Sequence, residues 1–276
     1  MKLKNYINFD DKANAVLGTK VISDSNDLDS IFNQSDCFYK KKGYIFRGVN
    51  EAAFKMFSSF QRYWISNDLK LSDKNYSDSL FSELEKAKVW NNELLQKFLA
   101  KFGKNYENNN IAYYSIMQHY RIRTPLVDFT YNPFTALFFA CENADSCYYD
   151  DNFNEIRNFF SLYFIHFEWF INKSFSKIVT DIGKEEFLHN NVYQLANNEL
   201  IYNNLNVIAQ EGLFLINTSS ELDLISVLKS KDTTEEQRFF GCYNIHKSLA
   251  EEVRENLKKK GITKELLFPD LSKMLR

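Results

Sequence analysis

The sequence predicts an α+β fold, a single globular domain of mixed strands and several helices. Two observations carry this. Short aromatic or aliphatic runs and amphipathic segments of 3.6-residue period follow one another irregularly, which argues against a regular βαβ series. No repeat and no Pro/Gly/Ser-rich linker divides the 276 residues, which hold only 8 Gly and 3 Pro. The expected division is an N-terminal segment, 1–20, and one domain, 21–276, with a peripheral Asn-rich insertion around 172–205.

The elements follow in order. Ser25 or Asn26 suits the cap of a short helix through Leu28, Ile31 and Phe32. Gly43 to Gly48 reads as a β-rich strand ending in a tight turn. Leu80, Leu84, Ala87, Leu94 and Phe98 place a long helix from about Ser77 to Phe102, with Gly103 just past its end. A helix from Ile111 to Tyr120 stops before Thr124-Pro125, and Leu126-Val127 is a short buried strand. Asn132 caps a third helix with Pro133 at its first position and an apolar run from Ala136 to Cys141. Ser161–Phe167, Gly212–Ile216 and Arg238–Ile245 are further strands. Ser248 and Glu251 have the spacing of a capping box, opening a helix that stops at Gly261.

Composition excludes several classes. Aromatic residues make up 16%, with 26 Phe and 16 Tyr, which excludes a largely disordered chain. A net charge of −2 lacks the basic footprint of a non-specific nucleic-acid binder. Cys37, Cys141, Cys147 and Cys242 form no C-x-x-C pair and read as reduced, buried thiols of a cytoplasmic protein. The four His show no metal spacing, so no metal site is expected. The most apolar stretch, Phe159–Phe170, is shorter than a membrane span and contains His166 and Glu168.

Three clusters combine polar groups with positions suited to a ligand. Arg47-Gly48 puts a guanidinium beside a residue that allows close backbone approach, a pairing suited to phosphate or carboxylate. It also suits a plain surface Arg before a turn. Met117 through Pro133 crowds polar groups onto a helix–strand–helix connection whose last helix offers free amides to an anion. Within it, Asp128 and Thr130 equally suit capping roles, and His119 suits either a core position or a base oriented by Asp128. Ala209-Gln210-Glu211-Gly212 opens an apolar strand with an amide and a carboxylate, which also fits a β-bulge with solvated side chains. Phe81, Phe98, Phe138 and Phe164 have core spacing, whereas Phe46, Tyr120, Phe129, Tyr131 and Phe214 are interleaved with the polar motifs and should wall a pocket.

The succession of these motifs resembles the FRG domain family, named for Phe-Arg-Gly. The resembling pieces are Tyr44–Gly48, Phe57–Arg62, Met117–Tyr120, Thr124–Thr130, Asn132–Leu137, Ala209–Phe214 and Gly261–Leu271. The chain departs from the family pattern at Arg121, where Gly is usual, at Pro125, where Arg is usual, and at Phe129, where Trp is usual. The aromatic-Arg-Gly strand is also similar to the first strand of ADP-ribosyltransferases that use an Arg, Ser/Thr, Glu triad. Their Ser-Thr-Ser and Glu-x-Glu patterns are absent. That second resemblance implies an ADP-ribosyltransferase-like fold, with Arg47 gripping NAD, Thr130 or Thr124 as the hydroxyl, and Glu211 or Gln210 as the late polar group. A carboxylate there would stabilise the positive charge that develops on ribose as nicotinamide leaves.

The resulting expectation is a cytoplasmic NAD-binding, ADP-ribosyltransferase-like or NAD-consuming effector in a bacterial toxin or phage-defence setting. NAD would be its substrate, with a protein or nucleic-acid acceptor and no membrane partner. Arg47, His119, Thr130, Gln210 and Glu211 would carry the chemistry. Gly48, Gln118, Tyr120, Thr124, Asp128 and Phe129 would bind the ligand. The alternatives are a non-catalytic nucleotide-binding sensor, and a nucleotide or nucleic-acid hydrolase using His119 and Asp128.

Overall fold

The computed structural model describes residues 5–16, 18–71, 75–90, 109–144, 150, 152–166, 178–195, 205–231 and 240–269. Among these residues eight strands form one mixed sheet, flanked by helices on both faces as a single α+β domain. The strands are β1 (Gly18–Ile22), β2 (Tyr44–Val49), β3 (Leu126–Thr130), β4 (Phe159–His166), β5 (Ile178–Val179), β6 (Val192–Leu195), β7 (Gly212–Asn217) and β8 (Phe240–His246). Their order across the sheet is β1-β8-β4-β2-β3-β7-β6-β5. The β1–β8 and β5–β6 pairs are parallel and the rest antiparallel.

The helices used below are α1 (Phe9–Ala15), α2 (Ser25–Lys41), α3 (Ser59–Ser66), α4 (Tyr76–Trp90), α5 (Asn110–His119), α6 (Pro133–Cys141), α7 (Leu205–Ala209), α8 (Leu224–Lys231), α9 (Ala250–Lys259) and α10 (Lys264–Leu267). Alternation along the strands sorts their side chains onto opposite faces. Phe46, Phe160, Leu162 and Ile245 join α2, α6 and α9 in one core. Ile45, Val127, Phe129, Leu213 and Leu215 join α8 in a core on the other face. A third core packs α3, α4 and α5 against Phe214 and Ile216 of β7.

The sheet is nearly two sheets. β2 and β4 share six register pairs, and β3 and β7 share five. Between them, β2 and β3 meet at one pair, Phe46 with Thr130. Strands that diverge this early leave backbone groups without ladder partners, and buried groups of that kind require substitutes.

Several expectations change. The boundary drawn after residue 20 cuts through β1, which pairs with β8 along its length. The N-terminal segment is tied in by Lys12 of α1, whose buried ammonium donates to Ala52 O, Ser161 Oγ and Asn244 Oδ1 at 2.9, 2.8 and 2.6 Å. Three acceptors use its three hydrogens, which lets a charge stay buried, although burial still pushes its pKa below the ordinary lysine value. The described part of the Asn-rich insertion, 178–195, supplies β5 and β6. Helix α2 is capped by Asp24, not Ser25 or Asn26, and is long rather than short, with 17 residues. Thr130 and Asp128 lie within β3 and not in a turn. Gly48 lies inside β2, not at a turn that closes it. The capping box at Ser248 and Glu251 does not form. Ser248 pairs with His246 Nδ1 at 2.7 Å, Glu251 pairs with Arg254, and α9 starts at Ala250. Cys141 and Cys242 are buried, but Cys37 is exposed on α2, and Cys147 lies outside the described residues. The expected helix beyond Trp90, with Leu94, Phe98 and Gly103, also lies outside them.

Gly48 fixes how closely α6 approaches the sheet. A Cβ there would lie 1.9 Å from Ala136 O and 2.7 Å from Ala140 N. The obstruction is helix backbone, which no rotamer change relieves. Gly48→Ala is expected to lower the unfolding free energy by about 3 kcal/mol or more, measured by urea denaturation. An unchanged midpoint would show that α6 can lift off β2 freely.

Candidate functional site

The divergence of β2 from β3 opens a cleft of about 540 Å³. Arg47, Gln118, His119, Arg121, Asp128 and Gln210 supply most of its polar lining. A smaller hollow of about 230 Å³ adjoins it and shares Arg47, Gly48 and Phe139 with it.

Arg47 spans the split. Its Nη1 donates to the carbonyl of Asp128 at 2.5 Å and lies 3.8 Å from Asp128 Oδ2. The guanidinium therefore takes the place of a missing ladder donor. Burial lowers its pKa and the nearby Asp128 charge opposes that shift. Its Nε is buried and has no hydrogen-bond partner. Buried donors left open in this way are uncommon in folded proteins.

Asp128 is held from the other side by Gln118, whose Nε2 donates to both carboxylate oxygens at 3.0 and 3.1 Å. The amide orientation is set in turn by Thr124, whose hydroxyl donates to Gln118 Oε1. Thr124 is fully buried and positions Gln118; it is not part of the cleft wall. The flanking Val127 and Phe129 point into the core, so β-alternation leaves Asp128 facing the opening with 55% of its side chain exposed.

Gln210 and Glu211 separate. Gln210 lines the cleft and its Nε2 donates to Leu267 O at 3.0 Å. Glu211 faces away: its Oε1 accepts from Asn132 Nδ2 and from Tyr39 OH, each at 2.9 Å. Asn132 itself caps α6, accepting from Phe134 N at 3.0 Å. The anion beside that helix start is thus the protein's own carboxylate, where a free anion site had been expected. Glu211 adopts φ 48, the left-handed region, at the turn between α7 and β7. Thr130 lines the cleft, but its hydroxyl donates to Gln210 O at 2.6 Å and accepts from Asn132 N at 2.9 Å. Both bonds are structural, so the bland role for Thr130 accounts for its hydroxyl.

His119 lines the cleft and is exposed; its ring packs edge-on against Tyr120. Tyr120 is 70% exposed and does not line the cleft, and neither does Tyr131. Phe46, Phe129 and Phe214 border it but are core residues, at most 5% exposed. The rings the cleft offers are Phe139 of α6 and Phe268 after α10, edge to face at 6.0 Å. Sequence reasoning missed both, along with Asn206 and Arg121. Phe139 looks like one more core position in the run Ala136–Cys141, and Phe268 lies 129 residues away. Among the described residues no group of three His, Cys, Asp or Glu is placed to hold a metal ion. No described helix is long and apolar enough to cross a membrane.

The FRG domain model matches residues 42–148 of the chain. The matched span contains Arg47, Gln118 and Asp128, while Gln210 lies beyond it. No curated protein and no solved structure matches the chain.

Arg121 stands where the family usually has Gly. It keeps the turn after α5 by adopting φ 58. A side chain in that region costs about 1–2 kcal/mol, partly offset because Gly loses more backbone entropy on folding. Arg121→Gly is therefore expected to stabilise the fold by about 0.5–1 kcal/mol, read as a higher denaturation midpoint. A lower midpoint would show that the Arg121 side chain holds the turn.

Proposed function

We propose that this FRG domain binds a nucleotide of the NAD class in the cleft at the sheet split. One observation carries the reading: Arg47, Gln118, Asp128 and Gln210, from four separate elements, converge on one opening. The cleft volume falls in the range of small-molecule sites, about 300–1,000 Å³. Primary amides and a carboxylate suit the hydrogen-bonding edges of a carboxamide, a base or a ribose. Phe139 and Phe268 offer faces and edges to a flat ring. The polar groups mostly neutralise one another in the free protein. The Arg47–Asp128 ion pair is long, 3.8 Å, with the Asp128 side chain 55% exposed, and is worth about 0–1 kcal/mol, less than the roughly 1.5–3 kcal/mol of a hydrogen bond to a charged ligand group. A ligand anion can therefore displace Asp128 from Arg47.

A second reading, cleavage of the nicotinamide–ribose bond, is favoured by Asp128. It is the one carboxylate among the described residues lining the cleft. As the C1′–N bond breaks, its electron pair leaves with nicotinamide and positive charge develops on the sugar. A freed Asp128 carboxylate would stabilise that charge more than the ground state. Water or an acceptor then bonds to C1′ and releases a proton. Glu211, engaged at the start of α6, is replaced in this role by Asp128.

Calorimetric titration with NAD is expected to show saturable binding, weakened roughly tenfold or more in Arg47→Gln through loss of a charge-assisted bond. No binding by the wild-type chain overturns the proposal. Nicotinamide release by the wild type, lost in Asp128→Asn with NAD still bound, would establish cleavage. Binding without release would leave the domain a sensor.

A further inference from the structure

The smaller hollow beside the cleft is lined by Arg47 and Gly48 of β2, Asn50, Lys55, Arg62 of α3 and Asn143 after α6, with apolar residues between them. Three of these are cations, and no carboxylate is among the described lining residues. The chain as a whole is balanced, with 34 Lys and Arg against 36 Asp and Glu. Three cations around a hollow with no carboxylate in its described lining are a local departure from that balance, although Asp128 of the main cleft stands 3.8 Å from Arg47. We infer that this hollow is an anion subsite, holding a phosphate or pyrophosphate group of a ligand whose remaining part lies in the main cleft.

The fold holds these charges together against their repulsion. Arg62 is carried on α3, whose start is fixed by a capping box: Ser58 N donates to Gln61 Oε1 at 2.9 Å and Gln61 N to Ser58 Oγ at 3.2 Å. Gln61 is buried, and its Nε2 donates to Ser219 O at 2.6 Å and Leu222 O at 3.0 Å, which pins the helix to the loop after β7. Phe60 N donates to Thr124 O at 3.0 Å, tying α3 to the same segment that orients Gln118. Arg62 makes no ion pair among the described residues, whereas Arg254 pairs with Glu251 and Arg123 stacks on Tyr63. Desolvation, followed by the charge of Arg47, lowers its pKa, and the charge of Asp128 opposes that shift. Lys55 also lacks an ion pair among the described residues and has its ammonium 5.0 Å from the Tyr6 ring centre. Arg47 lines both spaces, and its buried Nε has no hydrogen-bond partner. An anion there would relieve the repulsion and accept from these donors. At about 230 Å³ the hollow is too small for a whole nucleotide and large enough for a phosphate group.

The inference rests on the nucleotide reading for the rest of the ligand, but its charge argument can be tested alone. Inorganic pyrophosphate is titrated into the full chain by calorimetry, beside ADP, adenosine and NAD. The wild type is expected to bind pyrophosphate, more weakly as salt is raised, and to prefer ADP to adenosine. Arg62→Gln should weaken pyrophosphate binding roughly tenfold or more and erase most of the ADP preference, while Arg62→Lys, which keeps the charge, retains part of both. Arg62 is exposed on α3, and an unchanged melting curve for each variant confirms the fold. Absence of pyrophosphate binding, or equal binding by Arg62→Gln, overturns the subsite. NAD binding indifferent to Arg62→Gln sinks the subsite and leaves the nucleotide reading standing. Pyrophosphate binding lost in Arg62→Gln, with no NAD binding by the wild type, does the reverse.

Discussion

The single β2–β3 register pair is the constraint on which the rest of the structure depends. A sheet that stays paired along both strands would have no opening and no orphaned edge. Here the strands part after one contact, and the exposed edges must be satisfied by something other than a ladder. Arg47 donates across the gap to the Asp128 carbonyl. Arg47 is thus a backbone substitute and a cleft cation at once. Its position is forced by neighbours on both sides: Phe46 is buried in one core, and Gly48 lies against the backbone of α6. The Phe-Arg-Gly sequence is the chemistry of that forced position, a core anchor, a bridging charge and a gap for a helix.

The helices with both a cap and an apolar stripe were legible in the sequence. Asn132-Pro133 starts α6 as expected because cap and first-turn residue act locally. Gly261 ends α9 for the same reason, at φ 78. Helix α3 carries an equally local signal, Ser58-x-x-Gln61, but its apolar positions Phe60 and Trp64 lie one turn apart in an eight-residue helix, too short a run to show a helical period. The Ser248–Glu251 spacing gives no capping box, because His246 Nδ1 takes both the Ser248 hydroxyl and its backbone N–H, the group a Glu251 carboxylate would have accepted from. Strands β1, β5 and β6 were missed for a different reason. They lie at or near the sheet edges and draw their order from pairing, β1 with β8, β6 with β7 and β5 with β6, contacts that local pattern does not report.

The candidate site was legible in part. Arg47, Gln118, His119, Asp128 and Gln210 stand out as polar residues among apolar runs, and all border one cleft. Their individual directions were not legible. Gln210 and Glu211 are adjacent, and the left-handed turn at Glu211 sends them to opposite sides. Nothing in the local sequence reports that turn, because Glu rarely adopts it. The aromatic residues show the same limit. Phe46, Phe129 and Phe214 sit beside polar motif residues because strand alternation places core and cleft side chains next to each other in sequence. Adjacency to the motif therefore marks the wrong rings, and Phe139 and Phe268 reach the cleft through tertiary placement alone.

Arg47 also explains how the two spaces act as one site. In the free protein its bond to Asp128 is the weaker kind, partly open to water, while its Nε remains unfilled. An anion entering from the side of Arg62 and Lys55 would draw the guanidinium toward itself and loosen its hold on the carboxylate. Asp128 would then keep Gln118 as its partner, with more negative charge free to face the cleft. On the proposed reading, charge on one side of Arg47 would thereby act on charge on the other. The same residue that bridges the broken ladder lines both the hollow and the cleft, which is how the two would be coupled.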